Sequence, residues 1–226
     1  MSQGDHTMSA AILETLLQAP DLPELIEQAR RSLATEQKMR EKFYADITPE
    51  HKWEFIQGEV IMHSPALNRH LQATKAIFKL MEGFVTTRRL GDVQIEKAMT
   101  CFPRNDYEPD IMFFGTAKMQ FIFPDTLRFP IPDLIVEVLS PSTEKRDRGV
   151  KFQDYALHGV GEYWIVDAEA ETIELHRLQG SEYPPAEPQK DGILSSEIIP
   201  GFEMPVRAAF DPLVNAEAMK AIWSKQ

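Results

Sequence analysis

The chain has 226 residues, 43% of them hydrophobic, 9% aromatic and 26% charged, and one cysteine, Cys101. These are globular values, which exclude a wholly disordered chain, and a lone cysteine excludes an internal disulfide framework and fits a reducing compartment. The net charge of -11 counts against an extended phosphate-binding surface, but it leaves room for a local basic rim and suits a site that holds cations.

No run of about 18 apolar residues occurs, so no membrane span is expected. The opening MSQGDHTMSA lacks a basic segment followed by an apolar one, so no secretion signal is expected and the cytoplasm is the default. The first 45 residues read as helix: a short apolar stretch from Ala11 to Ala19, stopped by Pro20, then Pro23 to Glu41. In the latter, Leu25, Ile26, Ala29 and Leu33 form a narrow stripe at helical spacing. Such a stripe packs on the domain or on a second subunit, and a homodimer is expected.

Strand signals begin at Trp53. WEFIQGEVIMHSP reads as a hairpin turning at Gln57-Gly58. A helix from Asn68 to Arg89 follows, then a strand from Val93 to Phe102 and another from Ile111 to Phe114. Asp133 to Leu139 is a strong strand, Ser140 to Thr143 a turn, and Arg148 to His158 a helix capped by Gly159. Strands at Glu162 to Val166 and Thr172 to Leu178 come next. Gly180 to Gly192 predicts a mobile loop, and the tail a strand near Ile198 and a helix from Ala216 to Trp223. The order predicts a mixed α/β domain over 46–226 with a helical extension over 1–45.

Two carboxylates stand out. In Asp133 to Leu139 the side chains alternate, so Leu134, Val136 and Val138 point one way and Asp133, Ile135, Glu137 and Leu139 the other. Glu137 therefore interrupts an apolar strand, where an unpaired carboxylate costs several kcal/mol unless a base, a proton or a cation offsets it. Asp110 follows Pro109 and opens the apolar strand Ile111-Met112-Phe113-Phe114. If the two strands pair, the two acids converge, and a divalent ion relieves their repulsion. Oxygen ligands of this kind suit Mg²⁺ or Mn²⁺, which polarise a phosphodiester and activate water. A salt bridge from Glu137 to a core arginine, and an Asp110 that merely starts a strand, explain the same pattern without a metal.

The residues QGEVIMHSP (57–65), His70, EPDIMFF (108–114), PDLIVEVLSPST (132–143), Lys151, Tyr155 and GVGEYWIVD (159–167) together resemble the Uma-type family of endonucleases. The resemblance spans roughly residues 53–210. That family is similar to the PD-(D/E)xK, restriction-endonuclease-like superfamily. The resemblance implies a mixed central sheet flanked by helices, with Asp110 as the PD aspartate and Glu137 as the acidic residue of (D/E)xK. Asp133 lies on the same strand as Glu137 and is taken as a helper or structural residue.

The superfamily lysine, two residues after the glutamate, is absent: that position is Leu139. Lys151 is its natural replacement, reaching back from the next helix to stabilise charge on the phosphate or orient the attacking water. A surface lysine or a plain salt-bridge partner of Glu137 is the competing account. Glu59 is a candidate further acidic ligand and His70 a candidate to bind or polarise in the same pocket. Hairpin surface and helix-start roles are their alternatives. Tyr155, one turn beyond Lys151, shares its helix face, and core packing is its other role.

The function these residues imply is a Mg²⁺- or Mn²⁺-dependent endonuclease acting on DNA. The alternatives are a catalytically inactive nuclease fold that works by binding or dimerisation, and a metal-dependent hydrolase of another phosphoester.

Overall fold

A computed structural model of the chain describes residues 4–48, 50 and 52–224, with side chains from residue 11 onward. The first three residues of the expected helical extension lie outside the described residues.

Two helices open the chain, α1 (Gly4–Leu17) and α2 (Leu22–Asp46). The sequence predicts an end at Glu41, yet α2 runs five residues further. The extra turn puts Phe43 into the body beside Phe55 and Met99. The expected apolar stripe is not what seats the helix: Ile26 and Leu33 remain 39% and 52% exposed. The seat is polar. Arg40 donates to Asp106 Oδ2 and Oδ1 at 2.7 and 2.6 Å, and to the carbonyls of Phe102, Pro103 and Asn105. Asp106 is fully buried, so Arg40→Ala leaves an uncompensated carboxylate. The expected cost is about 3 kcal/mol in denaturant unfolding. An unchanged midpoint would show that α2 is held by other contacts.

The hairpin forms as the sequence predicts, from β1 (Trp53–Ile56) and β2 (Glu59–Met62). Gln57 and Gly58 both take positive φ, 50° and 88°, as the tight primed turn requires. Helix α3 (Asn68–Arg88) follows. The expected single strand from Val93 to Phe102 is broken. Its halves are β3 (Gly91–Ile95) and β4 (Met99–Cys101), and Glu96 and Lys97, both with positive φ, turn the chain between them. The halves join different sheets, which a continuous apolar pattern does not disclose.

The central sheet has the order β10-β9-β8-β6-β3, using β6 (Ile111–Gly115), β8 (Leu134–Val138), β9 (Glu162–Asp167) and β10 (Thr172–Arg177). In it β8 and β9 run parallel, and the other pairs are antiparallel. A second sheet has the order β2-β1-β5-β4-β7, completed by β5 (Asp106–Tyr107) and β7 (Arg128–Phe129). The central sheet separates two cores, and the period-two alternation of its strands assigns residues to them. Ile111, Phe113, Leu134, Val136, Val138, Trp164 and Val166 face α3 and the C-terminal helix α6 (Pro212–Ser224). Met112, Phe114, Ile135, Tyr163 and Ile165 face the other core, shared with Phe102, Tyr107 and Tyr155.

The predicted helix from Arg148 begins earlier. A turn at Glu144–Arg146 (α4) leads into a π-helical turn, Asp147–Lys151, and then α5 (Phe152–Leu157). Gly159 takes φ 82° after it. The segment 180–192 is tied down at two points: Tyr183 is buried and donates to the Val160 carbonyl at 2.6 Å, and Gln189 bridges to Ile173. The tail strand expected near Ile198 is instead a turn between β11 (Ile193–Ser195) and β12 (Glu203–Pro205). No described helix is long and apolar enough to cross a membrane.

Candidate active site

Antiparallel pairing of β6 and β8 sets Ile111 opposite Val136 and Met112 opposite Ile135. One step further along the same register brings Asp110 opposite Glu137, on the face of Met112 and Ile135. The two acids meet because the register that sets Ile111 opposite Val136 also sets their neighbours opposite one another. Asp110 Oδ2 accepts the Val138 backbone N–H at 2.8 Å, which locks the aspartate to the neighbouring strand. Asp110 Oδ1 is met by Lys52 Nζ at 3.1 Å and His70 Nε2 at 3.3 Å.

Lys151 reaches Glu137 from the π-helical turn, with Nζ 2.8 Å from Oε1, and is 1% exposed. The hydroxyl of Tyr155, four residues on, donates to the same oxygen at 3.0 Å. So Lys151 and Tyr155 do share a face directed at Glu137. A π turn adds a residue to the helical circuit and is a common device where a side chain must be re-aimed.

Lys151 has two further partners that the sequence pattern did not single out: Glu54 Oε1 at 2.8 Å and Asp147 Oδ1 at 3.4 Å. Glu54 is fully buried, accepts the Glu108 backbone N–H at 3.0 Å and lies 3.1 Å from His63 Nε2. A signal for it exists, since a glutamate between Trp53 and Phe55 interrupts an apolar strand just as Glu137 does. Asp147, in a helix rich in charged residues, carries no such mark. Lys52 and His63 flank the hairpin and are brought to the site only by its fold: the His63 N–H donates to the Lys52 carbonyl at 3.1 Å.

Two candidates lie elsewhere. Glu59 lines a shallow groove against α2 with Glu36 and Met39. Asp133, at the far end of β8, accepts the Gly115 N–H at 2.7 Å and pairs with Lys118 at 2.7 Å, joining two strand ends.

The site is short of positive charge. Glu54, Glu137 and Asp147 share one ammonium. Burial pushes the Glu137 carboxyl up to about 8, against the pull of Lys151 and with Asp147, Asp110 and Glu54 adding to the rise. Burial likewise raises Asp147, and raises Glu108 to about 7. For Asp110, burial is outweighed by the His70 hydrogen bond and Lys52, which hold it well below the usual carboxylate range. Glu54 is held low by Lys151 and His63 against the same burial. The three ammonium and imidazolium groups are all raised against burial: Lys52 and His70 chiefly by Asp110, Lys151 by Glu137 and Glu54.

The raised groups have a consequence for stability. A raised carboxyl binds more protons folded than unfolded, so its contribution is complete below its unfolded value of 4.5 and is lost as pH climbs through about 8. Glu108, Asp147 and His70 act in the same direction. Asp110 and Glu54 have the opposite sign and lose their contribution only in acid. In chelator, the thermal midpoint is therefore expected to fall between about pH 5 and pH 8, and to fall less in Glu137→Gln. A midpoint that rises across this window would contradict the protonation pattern.

Asp110, Glu137 and Lys151 form the floor of a cleft of about 710 Å³, which also exposes His63, His70, Lys52 and Arg146. Comparison with known proteins bears on this arrangement. Residues 40–207 match the family Uma2, described as "Putative restriction endonuclease". The chain belongs to the Uma2 family. The family match begins within α2 and covers every residue of the site described above. Among solved structures, the Uma2 chain is similar to "a putative nuclease belonging to DUF820" from Anabaena variabilis ATCC 29413. That likeness has a TM-score of 0.65 at 18% identity over 75% of this chain and 96% of that one. At that identity it establishes a shared fold, the mixed α/β architecture that the sequence predicts. No match was found among curated proteins.

The residues also bear on a metal. Among the described residues, no three His, Cys, Asp or Glu side chains form a ready-made cage. Mg²⁺, however, is usually held by one or two carboxylates and keeps several waters. Asp110 and Glu137, opposed across one strand pair in a site with excess negative charge, fit that demand.

Proposed function

We propose that this Uma2 protein is a divalent-metal-dependent endonuclease that hydrolyses phosphodiester bonds in DNA. The observation that carries this reading is the convergence of Asp110, Glu137 and Lys151 from three separate elements on one cleft floor. Asp110 and Glu137 would hold Mg²⁺ or Mn²⁺, which supplies Lewis-acid polarisation of the phosphate and a more acidic water.

The chain's own groups do the rest. Lys151, anchored by Glu54 and Asp147 as well as Glu137, holds its ammonium where negative charge grows on the phosphoryl oxygens. In this role it replaces the lysine that Leu139 displaces from the strand. His70 and the Val138 N–H fix the Asp110 carboxylate, and Tyr155 fixes that of Glu137. The hairpin's acidic contribution is Glu54, which orients Lys151, and not Glu59. The test is cleavage of supercoiled plasmid with Mg²⁺ or Mn²⁺ against a chelator control. Absence of cleavage with either metal would overturn the reading.

One observation favours a second reading. Lys52 Nζ, 3.1 Å from Asp110, already gives this carboxylate a cation, as a nuclease fold without catalysis would. Calorimetry separates the two, since stoichiometric Mg²⁺ binding lost in Glu137→Gln supports the enzyme.

The protein is also proposed to be a homodimer. Ile12, Leu13 and Leu17 on α1 are 54–61% exposed, and Ile26 and Leu33 on α2 are 39% and 52% exposed. Light scattering is expected to give twice the chain mass of 25.8 kDa, and Leu13→Asp with Leu17→Asp to return a monomer. A monomeric wild type would exclude the pairing.

A further inference from the structure

The cleft that holds Asp110 and Glu137 carries more than its reactive floor. Around the acidic floor its lining also carries cations, with Lys52, Arg69, Lys97, Arg146 and Lys151 beside Glu50, Glu96, Asp110 and Glu137. Lys52 and Lys151 answer the carboxylates of the floor, and Lys97 and Arg146 bring positive charge to the walls. Arg69 is committed to Glu169 at 2.6 Å and is not assigned to a ligand. The Arg146 Nε is buried and has no hydrogen-bond partner, so an incoming anion would satisfy it.

The rest of the lining is unlike a phosphate track. Met62, Leu67 and Leu71, on the segment from β2 into α3, line the cleft and are 70%, 56% and 43% exposed. Leu139 and Pro141 add to the apolar lining from the segment just after Glu137. Apolar side chains left in water beside cations in a concave site mark a ligand that is anionic along one edge and apolar along another. Duplex DNA does not meet that description, because its base faces are stacked inside and only sugars, phosphates and groove edges reach a wall. A single strand does: its phosphates follow basic groups and its unstacked bases lie on apolar surface.

Depth points the same way. Asp110 is 3% exposed, Glu137 4% and Lys151 1%. A phosphodiester must descend to them, and one flexible strand bends into a recess more readily than a stiff duplex.

We propose that the cleft takes single-stranded DNA, with bases against Met62, Leu67 and Leu71 and backbone along Lys97 and Arg146. The proposal rests on the nuclease reading of the same site and narrows its substrate. The test uses the full chain carrying Glu137→Gln, so that the probe is not consumed. Fluorescence anisotropy is measured with a labelled single-stranded DNA, the same sequence as a duplex, and its RNA counterpart.

Single-stranded DNA is expected to bind about tenfold or more tightly than duplex, and Met62→Ser with Leu67→Ser to remove most of that preference. Circular dichroism matching the parent shows that the variant is folded. Duplex or RNA binding equal to or tighter than single-stranded DNA would overturn the proposal, as would an unchanged preference in the double variant. Wild-type cleavage of plasmid and of single-stranded circles, run in parallel, keeps the two readings apart. Single-strand preference without cleavage of either substrate upholds the assignment of the cleft and removes the hydrolytic reading. Cleavage together with duplex preference does the reverse, and no binding of any probe removes both.

Discussion

Glu137→Gln is expected to abolish metal-dependent cleavage, lowering the rate by about three orders of magnitude or more. The substitution keeps the size and shape of the side chain but removes the charge that a divalent ion needs. The amide that replaces the carboxylate still offers an oxygen to Lys151 and Tyr155, which now stand 2.8 and 3.0 Å from Oε1. The fold is not expected to suffer, because Lys151 retains Glu54 and Asp147 and the cluster loses one of its surplus charges. The informative result is therefore a split, with activity gone and the thermal midpoint equal to or above wild type. Cleavage that survives in a preparation free of contaminating nuclease would sink the assignment of Glu137. A collapsed midpoint would show that Glu137 is needed for folding, and would make the loss of activity uninformative.

Lys151→Met is expected to have the larger effect on stability. Lys151 is 1% exposed and is the only ammonium contacting Glu54, Glu137 and Asp147 among the described residues, with those acids 0%, 4% and 1% exposed. Methionine fills similar volume but leaves the carboxylates facing one another in a low-dielectric pocket. Removing one partner of a buried ion pair costs about 3–5 kcal/mol. In a chain of this size that is a fall of roughly 6–20 °C in the thermal midpoint. The penalty depends on the acids that remain, so Lys151→Met combined with Glu137→Gln should recover part of it, a non-additivity that scanning calorimetry reads directly. An unchanged midpoint in Lys151→Met would show that the carboxylates are protonated together and do not rely on the lysine. The two variants also separate the roles of one contact: Glu137→Gln tests chemistry at small structural cost, and Lys151→Met tests the charge balance that holds the floor in place.

Much of the site is written in the chain order. Glu137 and Asp110 are legible because a carboxylate inside or at the start of an apolar strand contradicts the local pattern, and contradictions of that kind mark functional or compensated positions. Lys151 as the proposed stand-in for the strand lysine is legible from Leu139 and from a helix at the right distance. Glu54 breaks its strand's pattern in the same way, yet the hairpin motif directs attention to Glu59, just past the turn. Position within the strand separates the two. Glu54 is buried with Phe55 and Ile56 after it, whereas Glu59 and Val60 stand exposed beside the turn.

The sequence by itself determined the local elements and the faces of the strands, since backbone sterics and side-chain period act over a few residues. It determined the hairpin turn at Gln57-Gly58, the length of α3 to within one residue and the two faces of β8. Only the tertiary structure decided the rest. The break at Glu96 and Lys97 depends on two sheets claiming the two halves of one apolar run. The seat of α2 depends on Arg40 meeting Asp106 across 66 positions of chain. The anchoring of Lys151 depends on Glu54, Glu137 and Asp147 arriving from a hairpin, a central strand and a π turn. Coulomb attraction and burial act through space, so a charge balance among residues 54, 110, 137 and 151 has no signature in any stretch short enough to be read as a pattern.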